Sequence, residues 1–206
     1  MHYRHFDTVE AEVMPAAAKI LIAGGFGVGK TTLVGAISEI RPLRTEEFLS
    51  DRSIGVDDIS GVDRKTTTTV AMDFGRITFR ADLTMYLFGT PGQERFWFMW
   101  DDLAYGAVGA VVMADTRRLA DCFAAVDYFE HRGTPFIVAV NCFEGAPTYQ
   151  PEDVQIALDL VPGTPVVLCD ARRRDSVKKV LVTLISHAIT KNRTDREYQG
   201  RPLPAG

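Results

Sequence analysis

Short runs of consecutive apolar residues recur along the chain, separated by longer polar or amphipathic stretches. The runs lie at 18–24, 84–88, 107–114, 136–141 and 166–169. Continuous apolar runs of this length predict strands that are buried on both faces of a parallel sheet. Helical candidates lie at 119–131, 151–160 and 176–189. Strands that alternate with helices predict an α/β fold, with a mainly parallel sheet and helices on both of its faces.

One pair of strands breaks this alternation. The stretch 70–80 is followed at once by a strand at 83–88, with Ala81 and Asp82 at the turn. This spacing predicts a hairpin, and therefore a six-stranded sheet with one antiparallel edge strand. The segment 41–68 is rich in charged residues, glycine and threonine, and it is too long for a routine connection. We expect it to be functional or mobile.

The length of 206 residues suits one α/β domain and leaves little room for a second. We expect a flexible N-terminal lead at 1–15, the folded domain at 16–190 and a flexible tail at 191–206.

Charge and cysteine usage narrow the environment and the partners. The net charge of −4 provides no basic field, so nucleic acid is not expected as a partner. The three cysteines are widely spaced and form no disulfide or zinc pattern, which favours a cytoplasmic protein with reduced thiols. Neither a membrane span nor a lipidation motif is visible. We therefore expect no direct membrane anchor, and any recruitment to a membrane would pass through a partner.

The glycine-rich stretch directly after the first apolar run carries the clearest chemistry. Gly24, Gly29, Lys30 and Thr31 satisfy the P-loop pattern G-x-x-x-x-G-K-[ST]. Such a loop points successive backbone N–H groups at phosphates, and the helix that follows adds its positive N-terminal end. Lys30 would reach the β- and γ-phosphates, and the Thr31 hydroxyl would ligate Mg²⁺. The predicted phosphate-binding residues are Gly25, Phe26, Gly27, Val28, Gly29, Lys30, Thr31 and Thr32.

Two later stretches indicate which class of P-loop protein this is. The sequence FGTPGQER at 88–95 resembles the D-x-x-G-Q-E switch II motif of Ras-like small GTPases. The resemblance implies that Gly92 binds the γ-phosphate through its amide and that Gln93 orients the attacking water. The sequence TTTTVAMDFG at 66–75 resembles the switch I threonine and the strand after it. The resemblance makes Thr69 the Mg²⁺-contacting residue, with Thr68 as the alternative.

Two further stretches lie where this family recognises guanine. Asn141, Cys142 and Glu144 stand in the position of the N-K-x-D motif, and Asp170, Ala171 and Arg172 stand in the position of S-A-K. Glutamate can accept two hydrogen bonds from guanine N1 and N2, as aspartate does. Adenine lacks these donors and would leave the carboxylate unpaired, which favours GTP over ATP. A P-loop ATPase is the less favoured alternative.

The sequence also shows a resemblance to the small GTPases of bacterial conservon operons, and more distantly to the bacterial gliding-polarity GTPases. The phrases TVAMDFG, FGTPGQERFWFMWDDL and ADTRRLAD carry it. The resemblance implies a Ras-like G domain that acts as a GTP/GDP switch in bacterial signalling. It also implies a roadblock-type regulatory protein and a histidine-kinase-like protein as partners.

Gly89 departs from the Ras-like pattern, because most Ras-like proteins carry there an aspartate that holds a water on Mg²⁺. We therefore expect slow intrinsic hydrolysis. A nucleotide-bound interaction module that does not hydrolyse is the alternative. Asp115 could compensate for the missing aspartate through water, or it could have a structural capping role.

Two more features have both a functional and a structural interpretation. Arg64 stands close to the switch I threonine and is a candidate arginine finger that acts in cis. The alternative is a solvated basic pair with Lys65, opposite Asp57, Asp58 and Asp63. The aromatic run FWFMW at 96–100 follows Gln93 and is a candidate partner interface. The competing interpretation is a stripe that anchors the switch to the core.

Overall fold

The computed structural model describes residues 16–49, 68–92 and 94–199. Within these ranges, strands and helices alternate along most of the chain. In chain order the elements are β1 (Ala16–Gly24), α1 (Lys30–Ile37), β2 (Leu43–Leu49), β3 (Thr68–Arg80), β4 (Leu83–Gly89), a 3₁₀ helix (Glu94–Met99), α2 (Trp100–Ala104), β5 (Ala107–Ala114), a 3₁₀ helix (Leu119–Cys122), α3 (Phe123–Arg132), β6 (Phe136–Asn141), α4 (Pro151–Ala157), β7 (Val166–Cys169) and α5 (Arg174–Gln199).

The strands form one sheet in the order β2-β3-β4-β1-β5-β6-β7. Strands β4, β1, β5, β6 and β7 pair in parallel, while β3 runs antiparallel to both of its neighbours. The predicted fold class is confirmed: a mainly parallel α/β sheet that contains the β3–β4 hairpin.

The described sheet has seven strands where the sequence predicts six. The additional strand is β2, which pairs with β3 from Leu43↔Phe74 to Leu49↔Thr68 and so covers the predicted edge. It lies inside the charged segment 41–68, where Arg44, Glu46 and Glu47 obscure an apolar strand pattern. Such a charged strand is suited to the edge of a sheet.

Two apolar cores lie on opposite faces of the sheet. In β1, Ile20 and Ile22 point into the core beneath α1 and α5, whereas Leu21 and Ala23 point into the core beneath α2, α3 and α4. Successive side chains of this buried strand therefore pack into the two cores in turn, because side chains in a strand alternate between the two faces of the sheet. The prediction of helices on both faces is confirmed.

Helix α5 extends past the predicted domain end at 190 and reaches Gln199. The stretch after Lys191 is polar and has no apolar face, so the sequence pattern there does not indicate a packed helix. None of the helices in the described ranges has the length and hydropathy needed to cross a membrane.

Candidate nucleotide-binding site

The loop between β1 and α1 lies at the carboxyl edge of the parallel strands, where ligands bind in open α/β sheets. Its backbone takes positive φ at Gly24 (128°), Gly27 (73°) and Gly29 (107°). At Gly29 glycine is also required by space, since a Cβ would lie 2.6 Å from Asn141 Nδ2. The sequence thus folds this stretch into a tight loop that α1 continues directly.

Lys30 is the first residue of α1, and its side chain folds back over the loop. Its Nζ donates to the carbonyl oxygens of Gly24 at 2.8 Å and Gly25 at 2.7 Å. Burial lowers the pKa of Lys30 to about 8, although the charge of Asp73 acts in the opposite direction. A half-buried cation that bonds backbone carbonyls in this structure is suited to receive an anion in the loop.

The segment after β4 closes the other side of this cradle. A Cβ on Gly92 would lie 2.7 Å from Lys30 Nζ and 2.9 Å from Phe26 N, so only glycine allows the approach. Thr90 N donates to Ile22 O at 2.9 Å, and Trp100 Nε1 donates to Pro91 O at 3.4 Å. Between the loop and this segment lies a pocket of about 410 Å³, which Thr31, Thr32 and Asp73 also line. The predicted Gly92 is therefore brought to the phosphate loop.

Asp73 is a site residue that the sequence reasoning missed. Thr31 Oγ1 donates a 2.5 Å hydrogen bond to Asp73 Oδ2. Asp73 pairs across the hairpin with Gly89, and a Cβ on Gly89 would lie 3.1 Å from Asp73 Cβ and 3.2 Å from its Oδ2. The Asp73 carboxylate thus occupies the space that a side chain on residue 89 would need. The signal in the sequence was Gly89 itself: with no aspartate at this position, the carboxylate near Thr31 comes from another strand.

The base end of the site is organised by one buried amide. Asn141 is 6% exposed, its Nδ2 donates to Val28 O at 3.0 Å, and its Oδ1 accepts from Ala171 N at 3.1 Å. Cys142 N donates to Cys169 O at 2.7 Å. Asn141 therefore joins the phosphate loop to the loops that follow β6 and β7.

These loops enclose a smaller pocket of about 170 Å³. Its lining includes the predicted base-end residues Cys142, Glu144, Ala171 and Arg172, together with Gly27, Gly29 and Thr32 of the phosphate loop. Arg172 Nε and Nη2 bond the carboxylate of Asp170 at 2.9 Å and 3.0 Å. These bonds raise the pKa of Arg172, with a smaller contribution from the charge of Glu144. Asn141 and these four predicted residues thus converge on one pocket beside the phosphate loop, whereas the predicted Asp170 pairs with Arg172 and does not line it.

Three predicted residues are not described at side-chain level. Gln93 and Arg64 lie outside the described residues, so their catalytic roles stay predictions. The backbone of Thr69 lies in β3, four residues before Asp73 and so about 13 Å away along an extended strand. A magnesium role for Thr69 stays a prediction.

Of the two roles predicted for Asp115, the structure shows the capping role. Its Oδ1 accepts from the backbone N of Arg117 at 3.0 Å, and its Oδ2 lies 2.7 Å from Arg117 Nη2. Arg117 in turn lies over the Phe143 ring at 4.1 Å. Asp115 therefore caps the turn after β5, whereas Asp73 contacts Thr31.

The aromatic run divides between core and surface. Trp100 is 3% exposed, and it packs edge-on against Tyr128 at 5.2 Å and stacks on Phe129 at 6.1 Å. Phe96 is also buried, whereas Phe98 is 62% exposed. The side chain of Trp97 lies outside the described part of the chain. The core-anchoring interpretation thus applies to Phe96 and Trp100, which are not available to a partner in this arrangement.

Known proteins share this fold. The G-domain of FeoB from Methanococcus jannaschii superposes with a TM-score of 0.54 at 15% identity, covering 84% of this chain and 98% of that chain. The cytosolic domain of the T. maritima FeoB iron transporter in a GDP form gives a TM-score of 0.60 at 17% identity, covering 84% of this chain and 64% of that chain. At this identity the likeness shows the fold, which is that of a P-loop G domain.

Sequence comparison shows the family. An uncharacterized protein of Methanocaldococcus jannaschii is 33% identical over 100 residues, which are 48% of this chain and 52% of that protein. The chain thus matches about half the length of this curated relative. A family model described as "conserved hypothetical ATP binding protein" matches residues 22–191, from β1 into α5. Because this match spans most of the chain, the protein belongs to the family of conserved hypothetical ATP binding proteins.

Proposed function

We propose that this protein binds GTP and GDP with Mg²⁺ and acts as a slowly hydrolysing GTP/GDP switch. One observation carries the proposal. Asn141 bonds both the phosphate loop at Val28 and the base-end loop at Ala171, so the two pockets face a single ligand. A phosphate cradle and an acidic base pocket held together in this way fit a guanine nucleotide.

Glu144 supports the choice of base. Its carboxylate accepts hydrogen bonds and donates none, which suits the N1 and N2 donors of guanine. ATP is the second candidate, because the family description names ATP. Adenine would leave the carboxylate without a donor at this edge, so we place ATP second.

Thr31 and Asp73 fit a Mg²⁺ site. The ion prefers oxygen ligands and commonly binds through one or two protein groups together with phosphate and water. Thr31 would supply its hydroxyl, and the Asp73 carboxylate, which accepts from that hydroxyl at 2.5 Å, would hold a water on the ion. Mg²⁺ would neutralise charge on the phosphates. Thr69 remains a proposed further ligand from switch I.

Hydrolysis is a further part of the proposal. Lys30 and the Gly92 amide would hold the terminal phosphate, and Gln93 would orient the attacking water. Arg64 is a proposed source of positive charge in cis. We expect Gln93→Leu to lower the rate of phosphate release about tenfold or more while GTP affinity stays the same. An unchanged rate would remove Gln93 from the mechanism.

The switch role and the partners rest on the resemblance to the conservon-type GTPases. We propose a roadblock-type regulatory protein and a histidine-kinase-like protein as partners in the cytoplasm. The exposed Phe98 supports a contact surface on the switch segment. Phosphate release with and without a purified roadblock-type protein tests this. If phosphate release stays absent in both reactions, the protein is a non-hydrolysing module, which the loss of aspartate at Gly89 would explain.

Calorimetry tests binding directly. The protein is titrated with GDP, a non-hydrolysable GTP analogue and a non-hydrolysable ATP analogue, each with Mg²⁺ and with EDTA. We expect both guanine nucleotides to bind more tightly than the ATP analogue, and Mg²⁺ to strengthen binding. Tighter binding of the ATP analogue would overturn the assignment of the base.

A further inference from the structure

Arg118 lies in the phrase ADTRRLAD, outside the predicted nucleotide-binding residues, and contacts the tip of the phosphate loop. It lies in the turn between β5 and the 3₁₀ helix Leu119–Cys122, and its Nη2 donates to Phe26 O at 3.1 Å. The same Nη2 lies 3.7 Å from the position that a Cβ on Gly27 would take. The guanidinium thus lies against the peptide that joins Phe26 to Gly27.

The sheet order explains how this arginine reaches the loop. Strand β5 pairs directly with β1, with Gly24 opposite Met113, so the turns that follow the two strands lie side by side. The turn is closed by Arg118 N donating to Asp115 O at 2.9 Å. The two turns pack so closely that a Cβ on Gly25 would lie 2.6 Å from Asp121 Cβ. The position of Arg118 is therefore set by the fold.

Two carboxylates flank the guanidinium and hold it in place. Arg118 Nη1 lies 3.6 Å from Asp121 Oδ2, and Nη2 lies 3.9 Å from Asp115 Oδ2. Asp115 makes its shorter contacts with Arg117, so its charge is largely compensated there. Arg118 remains half exposed, at 49% for its side chain. It is therefore oriented by its neighbours and still close to the rim of the phosphate pocket, where Phe26 and Gly27 lie.

We propose that Arg118 is a positioning residue for phosphate binding and hydrolysis, an inference that rests on the proposed GTPase function. In a trans peptide the C=O and the next N–H point in opposite directions. A cation that holds the Phe26 carbonyl from outside therefore directs the Gly27 N–H to the inside of the loop, and it polarises that N–H as a donor. The positive charge also favours the more highly charged triphosphate and the charge that develops during phosphoryl transfer.

The test compares Arg118→Gln with Arg80→Gln. Arg80 pairs with Asp82 at the exposed hairpin turn, so its variant has the same change in net charge without a contact to the loop. We expect Arg118→Gln to lower kcat for GTP about tenfold, the effect of one lost charge-assisted hydrogen bond, with a smaller change in KM. The affinity for a non-hydrolysable GTP analogue should fall more than the affinity for GDP. Arg80→Gln should match the wild type in all three measurements.

Two additional measurements separate positioning from a loss of folding. Thermal unfolding should give similar Tm values for the Arg118 and Arg80 variants. Free guanidinium at millimolar concentration should raise the hydrolysis rate of Arg118→Ala and leave the wild type unchanged, which a purely structural role would not produce. An unchanged kcat in Arg118→Gln, or an equal loss of GDP and GTP-analogue affinity, would overturn the inference. Failure of the wild-type protein to bind or hydrolyse GTP would instead overturn the proposed function.

Discussion

The phosphate end and the base end of the pocket are built in different ways. At the phosphate end, backbone positions, the half-buried Lys30 and the Thr31–Asp73 hydrogen bond define the site. At the base end, the buried Asn141 fixes the loops, but the side chains that would read the base, such as Glu144 and Arg172, lie on surface loops. Binding strength should therefore depend on the phosphate end, whereas the choice between GTP and ATP should depend on a few side chains at the base end.

The largest expected effect comes from Lys30→Ala. The change removes the cation that bonds the loop carbonyls of Gly24 and Gly25, and nucleotide affinity should fall about a hundredfold or more. Calorimetry with GDP measures the loss. Lys19→Ala, in β1 and bonded to Tyr105 O, is the matched control and should bind normally. Retained affinity in Lys30→Ala would contradict the assignment of the phosphate loop.

The second-largest expected effect comes from removing the charge of Asp73, whose carboxylate lies beside Gly89. Asp73→Asn should lower the Mg²⁺ contribution to nucleotide affinity about ten- to a hundredfold, as loss of an outer-shell partner does. Titration of the GTP analogue over a range of Mg²⁺ concentrations measures it. Equal Mg²⁺ dependence in wild type and variant would show that Asp73 does not serve the ion.

Exchanging the residues at positions 73 and 89 tests the same prediction more strictly. Asp73→Gly combined with Gly89→Asp returns the carboxylate to β4 and should restore part of the Mg²⁺ dependence. Gly89→Asp alone should lower Tm, because its Cβ would come within 3.1 Å of Asp73 Cβ and bring two carboxylates together. The double variant should recover a higher Tm than Gly89→Asp, and failure to do so would contradict the shared position.

At the base end, Glu144→Ala should change selectivity more than binding. We expect GTP-analogue affinity to fall about tenfold, because two hydrogen bonds to the base are lost, while ATP-analogue affinity stays similar. Glu144→Asp is the conservative control and should keep the preference for guanine. An unchanged ratio of the two affinities in Glu144→Ala would show that another group reads the base.

The smallest effect is a dependence on pH. Because the pKa of Lys30 is lowered to about 8, the free protein loses this proton as pH rises through that value. Phosphate favours the charged lysine, so binding above pH 8 takes up a proton and affinity falls. Between pH 7 and 8.5 the decrease should be about fourfold. Calorimetry at pH 8.5 in buffers of different ionisation enthalpy measures the proton uptake, and its absence would contradict the role of Lys30.

The buried strands and the motifs that follow them could be predicted from the sequence. Gly29, Lys30, Asn141 and Ala171 each lie at the end of an apolar run or shortly after it, and the fold brings them together because parallel strands end at the same edge. Strand β2 could not be predicted in this way, because its charged residues hide its pattern. The division of the aromatic run also depended on packing, since Trp100 turns inward to Phe129 whereas Phe98 does not.

Asp73 was missed because of a local irregularity in the hairpin. A regular two-residue turn at Ala81 and Asp82 would place Phe74 opposite Gly89. The register instead shifts between Thr78 and Arg80, leaving Phe79 as an extra residue, so that Asp73 faces Gly89. Compared with a regular hairpin, a bulge of this kind moves the side chain of every residue beyond it to the opposite face of the sheet. Periodicity in the sequence does not show where a bulge lies.

The cross-strand pair of Asp73 and Gly89 also bears on how such a site could have arisen. A lineage that moves the carboxylate from one strand to the other by single substitutions must pass through a protein with both aspartates or with neither. The first would place two negative charges in space for one, and the second would leave the Thr31 hydroxyl without its acceptor. Both intermediates would therefore be at a disadvantage. We expect the Asp73–Gly89 pair to persist once it is established, and to indicate common descent among proteins that share it.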